Sequence, residues 1–280
     1  MKAAFVTGIE KVEIKEIDKP VISDTEVLIK TKTVGVCGSD LHLFRGTHPF
    51  RHAPAILGHE IAGDVVEIGS KVTNIKVGDR VTVEPQVGCG ECEMCKRGLV
   101  SLCSGKKVPG TPEWIGAFSE YFNADEKTVY KLADQTSYEM GTLAEPLAVA
   151  VHTVNHAETR TGGLVILGAG TIGQLILAVA RKRGYSPIIV TDTAAFNREF
   201  AVKHGADAAL DPVTENIPEK VKEMTGGRGA DLAIIAAGAD NILDQACECV
   251  HKCGEIGIVA MITNKIPFYC YSVVFSELKI

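Results

Sequence analysis

The alternation of apolar and polar residues changes character partway along the chain. Over roughly the first 85 positions the runs KAAFVT, VEIKEI, EVLIKTKTVGV, AGDVVEIG and DRVTVEP alternate or are β-branched, and Gly, Pro, Asp and Asn separate them. A period of two puts every second side chain on one face, so these runs predict short strands with one face buried. From Cys89 to Thr111 the periodicity is lost in a stretch rich in Cys and Gly. Such a segment cannot bury a core by itself, and a metal centre is its natural organiser. Near residue 140 the pattern changes again. Glu139–Ala157 carries helix formers, with Pro146 near the start. LVILGAG predicts a strand that runs into a glycine turn, TIGQLILAVARKRG an apolar helix ended by Gly184, PIIVTD a second strand and FNREFAVKHGAD another helix. DLAIIAAG and GEIGIVAM predict further strands with a helical stretch between them. Strands that are apolar at nearly every position need cover on both faces, which means a parallel sheet between helices. The expected organisation is α/β: a β-rich domain over 1–150, with the Cys-rich lobe at 88–104, then a doubly wound domain over 151–280.

Composition narrows the function classes. The chain has 280 residues, 46% of them hydrophobic, enough for two domains with their own cores. No apolar run reaches the length of a membrane span, and MKAAFVTGIE lacks the apolar stretch of a secretion signal. The net charge of −6, without blocks of like charge, argues against nucleic-acid or membrane partners. Nine cysteines in such a chain read as reduced thiols or metal ligands, consistent with a cytoplasmic protein.

Two motifs carry specific chemistry. Gly168-Ala-Gly170-Thr171-Ile172-Gly173 follows a predicted strand and opens a predicted helix, the context that gives this glycine pattern meaning. Gly168 permits the tight turn, Gly170 lets backbone approach a pyrophosphate, and Gly173 allows close helix–strand packing. Asp192 ends the next strand, where a carboxylate accepts from a ribose diol and repels a 2′-phosphate, favouring NAD over NADP. Arg198 follows in the next helix and is placed with the cofactor site. The second motif is Cys89, Cys92, Cys95 and Cys103. Four thiolates close a tetrahedral shell around zinc with no open position, a structural site. The first three spacings also suit an iron–sulfur cluster, but the fourth does not, and Ser104 stands where such runs have proline.

Three further groups are ordinary when taken singly: Cys37-Gly-Ser39-Asp40-Leu-His42, Gly58-His59-Glu60 and Glu145-Pro146. A buried cysteine, a satisfied histidine and a helix-start acid would each account for one of them. Together with GHEIAGDVVEIGSKV (58–72), the four-cysteine lobe and the glycine turn, in this order, the chain resembles the zinc-dependent medium-chain alcohol dehydrogenases, whose fold is a GroES-like catalytic domain followed by a Rossmann domain. That resemblance implies two zinc ions per chain, NAD, a small alcohol substrate and a homodimer or homotetramer. It implies a catalytic zinc held by Cys37 and His59. Where alcohol dehydrogenases have a second cysteine this sequence has Glu145, as the sorbitol (polyol) dehydrogenases do, and Glu60 or Glu145 would supply an oxygen directly or through water. Asp40 would orient His59. Ser39 would take the substrate proton and pass it through the nicotinamide ribose to His42, while hydride goes to the nicotinamide. Phe44, Trp114 and Phe118 fall in segments that line the substrate pocket in similar polyol dehydrogenases. The implied reaction is oxidation of a secondary alcohol (a polyol, sugar alcohol or its phosphate) to a ketone. The alternatives are L-threonine 3-dehydrogenase and, because family members run further than Ile280 to complete the first domain, a truncated zinc- and nucleotide-binding protein without catalysis.

Overall fold

The computed structural model describes residues 1–280, and the chain divides into two compact units, Met1–Glu145 and Pro146–Ile280. In the first unit, β1 (Lys2–Gly8) pairs antiparallel with β2 (Lys11–Glu16). The long β3 (Glu26–Gly35) leads into a short helix α1 (Gly38–Phe44), and β4 (Ala55–Ile56) joins β1 to complete a three-stranded sheet. A five-stranded antiparallel sheet is built from β3, β5 (Glu60–Ile68), β6 (Arg80–Val83), β7 (Tyr121–Asp125) and β8 (Val129–Lys131), in the order β7-β3-β5-β6-β8. Its buried face carries Val27, Ile29, Ile61, Val65, Val81 and Phe122. Between β6 and β7 the cysteine-rich lobe holds one short α-helix, α2 (Glu93–Lys96), and a single 3-10 turn at Val100–Leu102, neither with a buried residue.

The stretch of helix formers over Glu139–Ala157 holds two helices, α3 (Tyr138–Thr142) and α4 (Ala144–His156), the second starting near Pro146 as expected. Pro146 supplies the reason, since it has no N–H to donate to the Thr142 carbonyl and the ladder cannot run through that point. The sequence of the second unit runs β9 (Gly162–Leu167), α5 (Thr171–Arg183), β10 (Tyr185–Thr191), α6 (Ala195–Lys203), β11 (Ala208–Leu210), α7 (Ile217–Met224), β12 (Ala230–Ile235), α8 (Ile242–Cys249), β13 (Val250–Ile258) and α9 (Tyr271–Ser276). The strands form one parallel sheet in the order β11-β10-β9-β12-β13. Leu164, Ile166, Ile188 and Val190 belong to one core, and Val165, Leu167, Ile189 and Ile235 to the other, so both faces are covered as the continuous apolar runs require. The helix predicted from FNREFAVKHGAD stops at Lys203, because Gly205 turns the chain out of helix at φ +105.

Candidate active site and metal centres

Cys37 sits between the end of β3 and the start of α1, while His59 and Glu60 stand at the start of β5, the strand paired with β3. Gly35 pairs with Glu60 in that ladder. One donor atom from each of Cys37, His59 and Glu60 lies within 4.8 Å of the others. Glu60 is buried, and there is no room above Gly35 for a side chain: a Cβ there would lie 2.0 Å from Glu60 Oε2. Gly58, at φ +93, supplies the left-handed turn that delivers His59 to the strand.

The electrostatics of this cluster call for a cation. Asp40 is buried, accepts from the Cys37 N–H at 3.1 Å, and brings Oδ1 to 3.5 Å from His59 Nδ1, an ion-pair separation too long for a hydrogen bond. Neither of those two atoms has another protein partner. Burial pushes the His59 imidazole down, but Asp40 and Cys37 outweigh it and raise it to about 10. Burial raises both Glu60 and Glu145, opposed by His59, and Asp40 adds repulsion in each case. Three carboxylates and a thiol thus crowd one imidazole in poorly solvated space, which is costly unless positive charge joins them. A thiolate, an imidazole and a carboxylate are a donor set for zinc with an open position, so the residues fit a catalytic ion. Glu145 is close enough to feel His59 and Asp40 yet is not in the three-donor set.

The four thiols of the lobe meet within the same 4.8 Å limit, and Cys89 Sγ lies 4.0 Å from Cys95 Sγ. Zinc–sulfur bonds of about 2.3 Å in a tetrahedron set sulfurs about 3.8 Å apart, so the cluster has the right size. Backbone N–H groups of Cys89, Cys92 and Cys95 donate to Cys103, Cys89 and Cys92 sulfurs respectively, each at 3.4 Å. The amides of Cys92 and Glu91 draw the Cys89 thiol down to about 6, toward the thiolate a metal needs.

In the second unit Gly168 has φ +108, and a Cβ on Gly173 would lie 1.9 Å from the Gly168 carbonyl, so the turn and the helix that follows it demand these glycines. Above Gly170, at the start of α5, nothing lies within 4 Å, leaving open space beside the first-turn amides where a phosphate fits. Thr171 and Ile172 form that first turn. Asp192 accepts from Ala169 N at 2.9 Å and from Ala194 N at 2.8 Å, which fixes its carboxylate against the glycine turn. Arg198 is committed within the protein: it donates to the carbonyls of Asp192 and Thr193 and pairs with Asp211 at 3.3 Å. It braces the loop, and a free guanidinium for the cofactor is not what the structure provides.

The three aromatic residues expected at a substrate pocket are not brought together. Trp114 is buried in the core of the five-stranded sheet, stacked on Phe122 at 5.4 Å, with Nε1 donating to the Asn123 carbonyl at 2.7 Å. Phe44 and Phe118 pack with Val6, Leu43 and Leu57 in a separate small cluster. Trp114 is therefore corrected to a packing residue. Sequence reasoning passed over Gly35 and Thr47. Gly35 gives no signal without the β3–β5 register, and Thr47 none until the turn after α1 is known.

Comparison with known proteins agrees with this geometry. The profile of the alcohol dehydrogenase GroES-like domain matches residues 23–134, and that of the zinc-binding dehydrogenase matches residues 171–280. The sorbitol dehydrogenase of Bacillus subtilis (strain 168) is 36% identical over 285 residues, spanning 100% of this chain and 81% of its own. The L-threonine 3-dehydrogenase of Pyrococcus horikoshii is 36% identical over 257 residues, with 91% and 74% covered. Among solved structures, a protein described as a zinc-binding dehydrogenase of Sinorhizobium meliloti 1021, bound to NADP, superposes with a TM-score of 0.92 at 30% identity, covering 99% of this chain and 82% of that one. The chain belongs to the zinc-dependent medium-chain alcohol dehydrogenase family, in its polyol group. It is an oxidoreductase that uses zinc and NAD(P), as the resemblance implied. No helix is long and apolar enough to cross a membrane.

Proposed function

We propose that this chain oxidises a secondary alcohol of a polyol, a sugar alcohol or its phosphate to a ketone, with NAD as hydride acceptor. The observation that carries the reading is the convergence of Cys37, His59 and Glu60 within 4.8 Å, with the half-buried Glu145 beside them in place of a second cysteine. Cys37, His59 and Glu60 would hold the catalytic zinc, and Cys89, Cys92, Cys95 and Cys103 a structural one. Bound there, zinc supplies Lewis acidity, which lowers the pKa of an alcohol hydroxyl at its open position. Asp40 holds His59 by its Nδ1 side and, through the Cys37 N–H, fixes the backbone that carries the thiolate. Glu145, kept toward its neutral form by burial, serves the site as a hydrogen-bonding partner beside the ligands. Ser39 and His42, both half-buried on α1, carry the substrate proton outward, a role a hydroxyl and an imidazole can fill. Asp192 offers its carboxylate to the ribose diol of NAD, and the α5 N-terminus offers its amides to the pyrophosphate. The nine cysteines are all free thiols, which suits a reducing compartment such as the cytoplasm.

The test is NADH formation followed spectrophotometrically with sorbitol, xylitol, galactitol 1-phosphate, 2,3-butanediol and L-threonine. Turnover of at least one polyol well above L-threonine supports the reading. Preference for L-threonine would establish the second reading, which the equal identity to the Pyrococcus threonine dehydrogenase keeps in play. Tight zinc and NAD binding with no turnover of any alcohol would leave a binding protein without catalysis.

A further inference from the structure

Helix α1 ends in a turn that has a chemical consequence. Gly46 adopts φ +72, and its N–H donates to the Leu43 carbonyl at 2.9 Å. The next N–H, of Thr47, reaches back to the His42 carbonyl at 2.8 Å. These two bonds form the glycine-closed helix end in which the residue after the glycine is pinned beneath the third residue from the helix terminus. Thr47 is thereby held against His42 by backbone alone, and its side chain completes the contact. Oγ1 lies 3.0 Å from His42 Nδ1 and 3.3 Å from the His42 carbonyl oxygen.

A threonine hydroxyl has one proton to give. If that proton goes to Nδ1, the ring is the Nε2–H form and a single hydrogen bond is made. If it goes to the carbonyl, Oγ1 is free to accept from Nδ1–H and two are made. The second arrangement uses both contacts at once, the 3.0 Å contact to Nδ1 and the longer 3.3 Å contact to the carbonyl. It also leaves the Nε2 lone pair without a protein partner.

We infer that Thr47 is a positioning residue that holds His42 as its Nδ1–H tautomer, so that Nε2 is the atom that accepts the substrate proton. The inference rests on the relay role proposed for His42 above. A proton lost by the substrate oxygen and handed on by Ser39 forms a bond to Nε2. The resulting imidazolium keeps its Nδ1–H bond to Oγ1 until it returns one proton to solvent. An Nε2–H ring could accept only at Nδ1, which the Thr47 hydroxyl would then occupy. Tautomer choice by the hydrogen bond on the other ring nitrogen is a general property of histidine.

The zinc- and NAD-loaded protein, labelled with 15N at histidine, tests this directly. His42 is assigned by comparison with His42→Gln, and its two nitrogen shifts report the tautomer at a pH where the ring is neutral. The native protein and Thr47→Ser should show Nδ1–H, and Thr47→Val should revert to the Nε2–H form that imidazoles favour in water. Turnover of sorbitol with NAD should fall about tenfold in Thr47→Val and stay within about twofold in Thr47→Ser, part of the hundredfold or more that a proton-transfer group contributes. Thr47 is exposed, so neither change threatens the fold, and Thr47→Ala provides a second hydroxyl-free variant. An Nε2–H ring in the native protein, or an Nδ1–H ring that survives in Thr47→Val and Thr47→Ala, overturns the inference. Full turnover in His42→Gln with the native ring still Nδ1–H would instead reject the relay while leaving the tautomer assignment supported.

Discussion

Replacing Gly35 by alanine tests whether Glu60 belongs to the catalytic metal set. Gly35 does not have a positive φ, so alanine brings no backbone strain, and the effect is confined to one methyl group. That methyl would lie 2.0 Å from Glu60 Oε2, 3.0 Å from its Cβ and 3.1 Å from its Cδ. Since a Cβ essentially never approaches another atom within 3.0 Å, the oxygen must retreat by about 1 Å. Metal–ligand distances tolerate about 0.2 Å, so a displacement of that size removes the carboxylate from the bonding position. Loss of support around a zinc site typically costs about 10- to 100-fold in affinity, or about 1.4–2.7 kcal/mol. The assay is zinc content and competition with a chelator. The native protein should hold close to two zinc ions per chain and Gly35→Ala close to one under mild chelation, the lobe keeping its own. The double variant Gly35→Ala/Glu60→Ala decides the cause: if Gly35 acts only by making room for Glu60, the methyl adds nothing once the carboxylate is gone. Native zinc affinity in Gly35→Ala, or fully additive losses in the double variant, would refute the reasoning.

Three other outcomes are expected. Glu145→Ala, which removes the hydrogen-bonding group, should lower turnover by orders of magnitude while the lobe zinc and NAD affinity remain, whereas a helix-start acid alone would cost only a few tenths of a kcal/mol of stability with turnover intact; zinc content, NAD titration and steady-state rates on the same sample separate the two. NAD should be preferred over NADP by at least about tenfold, about 1.4 kcal/mol, and Asp192→Asn should shrink that ratio, measured as kcat/KM for each cofactor; equal use of NADP by the native protein would contradict the role given to Asp192. Burial pushes the Asp231 carboxyl up, but the Gly163 N–H at 2.7 Å, His251 at 3.0 Å and Arg228 at 3.3 Å outweigh it and leave it below the ordinary carboxylate value. A lowered folded-state value contributes stability that is full above the unfolded pKa of about 3.9 and is lost as pH falls through the folded value. Asp231→Asn should therefore destabilise at pH 7 by about 1–2 kcal/mol and by clearly less near pH 3, read as the difference in urea midpoints; a pH-independent difference would count against it.

The sequence by itself determined what local chemistry can encode. The change from alternating to continuous apolar runs separates an antiparallel sheet with one buried face from a parallel sheet covered on both, because side-chain period follows strand geometry. The glycine turn was legible because Gly168 and Gly173 stand where any Cβ would collide or force a left-handed strain, and the lobe because four cysteines within fifteen residues need no distant partner to form a shell. What depends on pairing across the chain was not legible. That Glu60 meets Cys37 and His59 follows from the β3–β5 register, which sets Glu60 over the bare backbone of Gly35. Trp114 looked like a pocket residue because an aromatic side chain serves a core or a site equally well, and only its stack on Phe122 places it in the core. Arg198 carries a charge that a cofactor phosphate could use, but tertiary structure spends its hydrogen bonds on Asp192, Thr193 and Asp211. Spacing along the chain fixes which residues are near neighbours in sequence, whereas a metal site or a proton path needs atoms placed to within tenths of an ångström, and that precision comes from sheet register and helix ends packed in three dimensions.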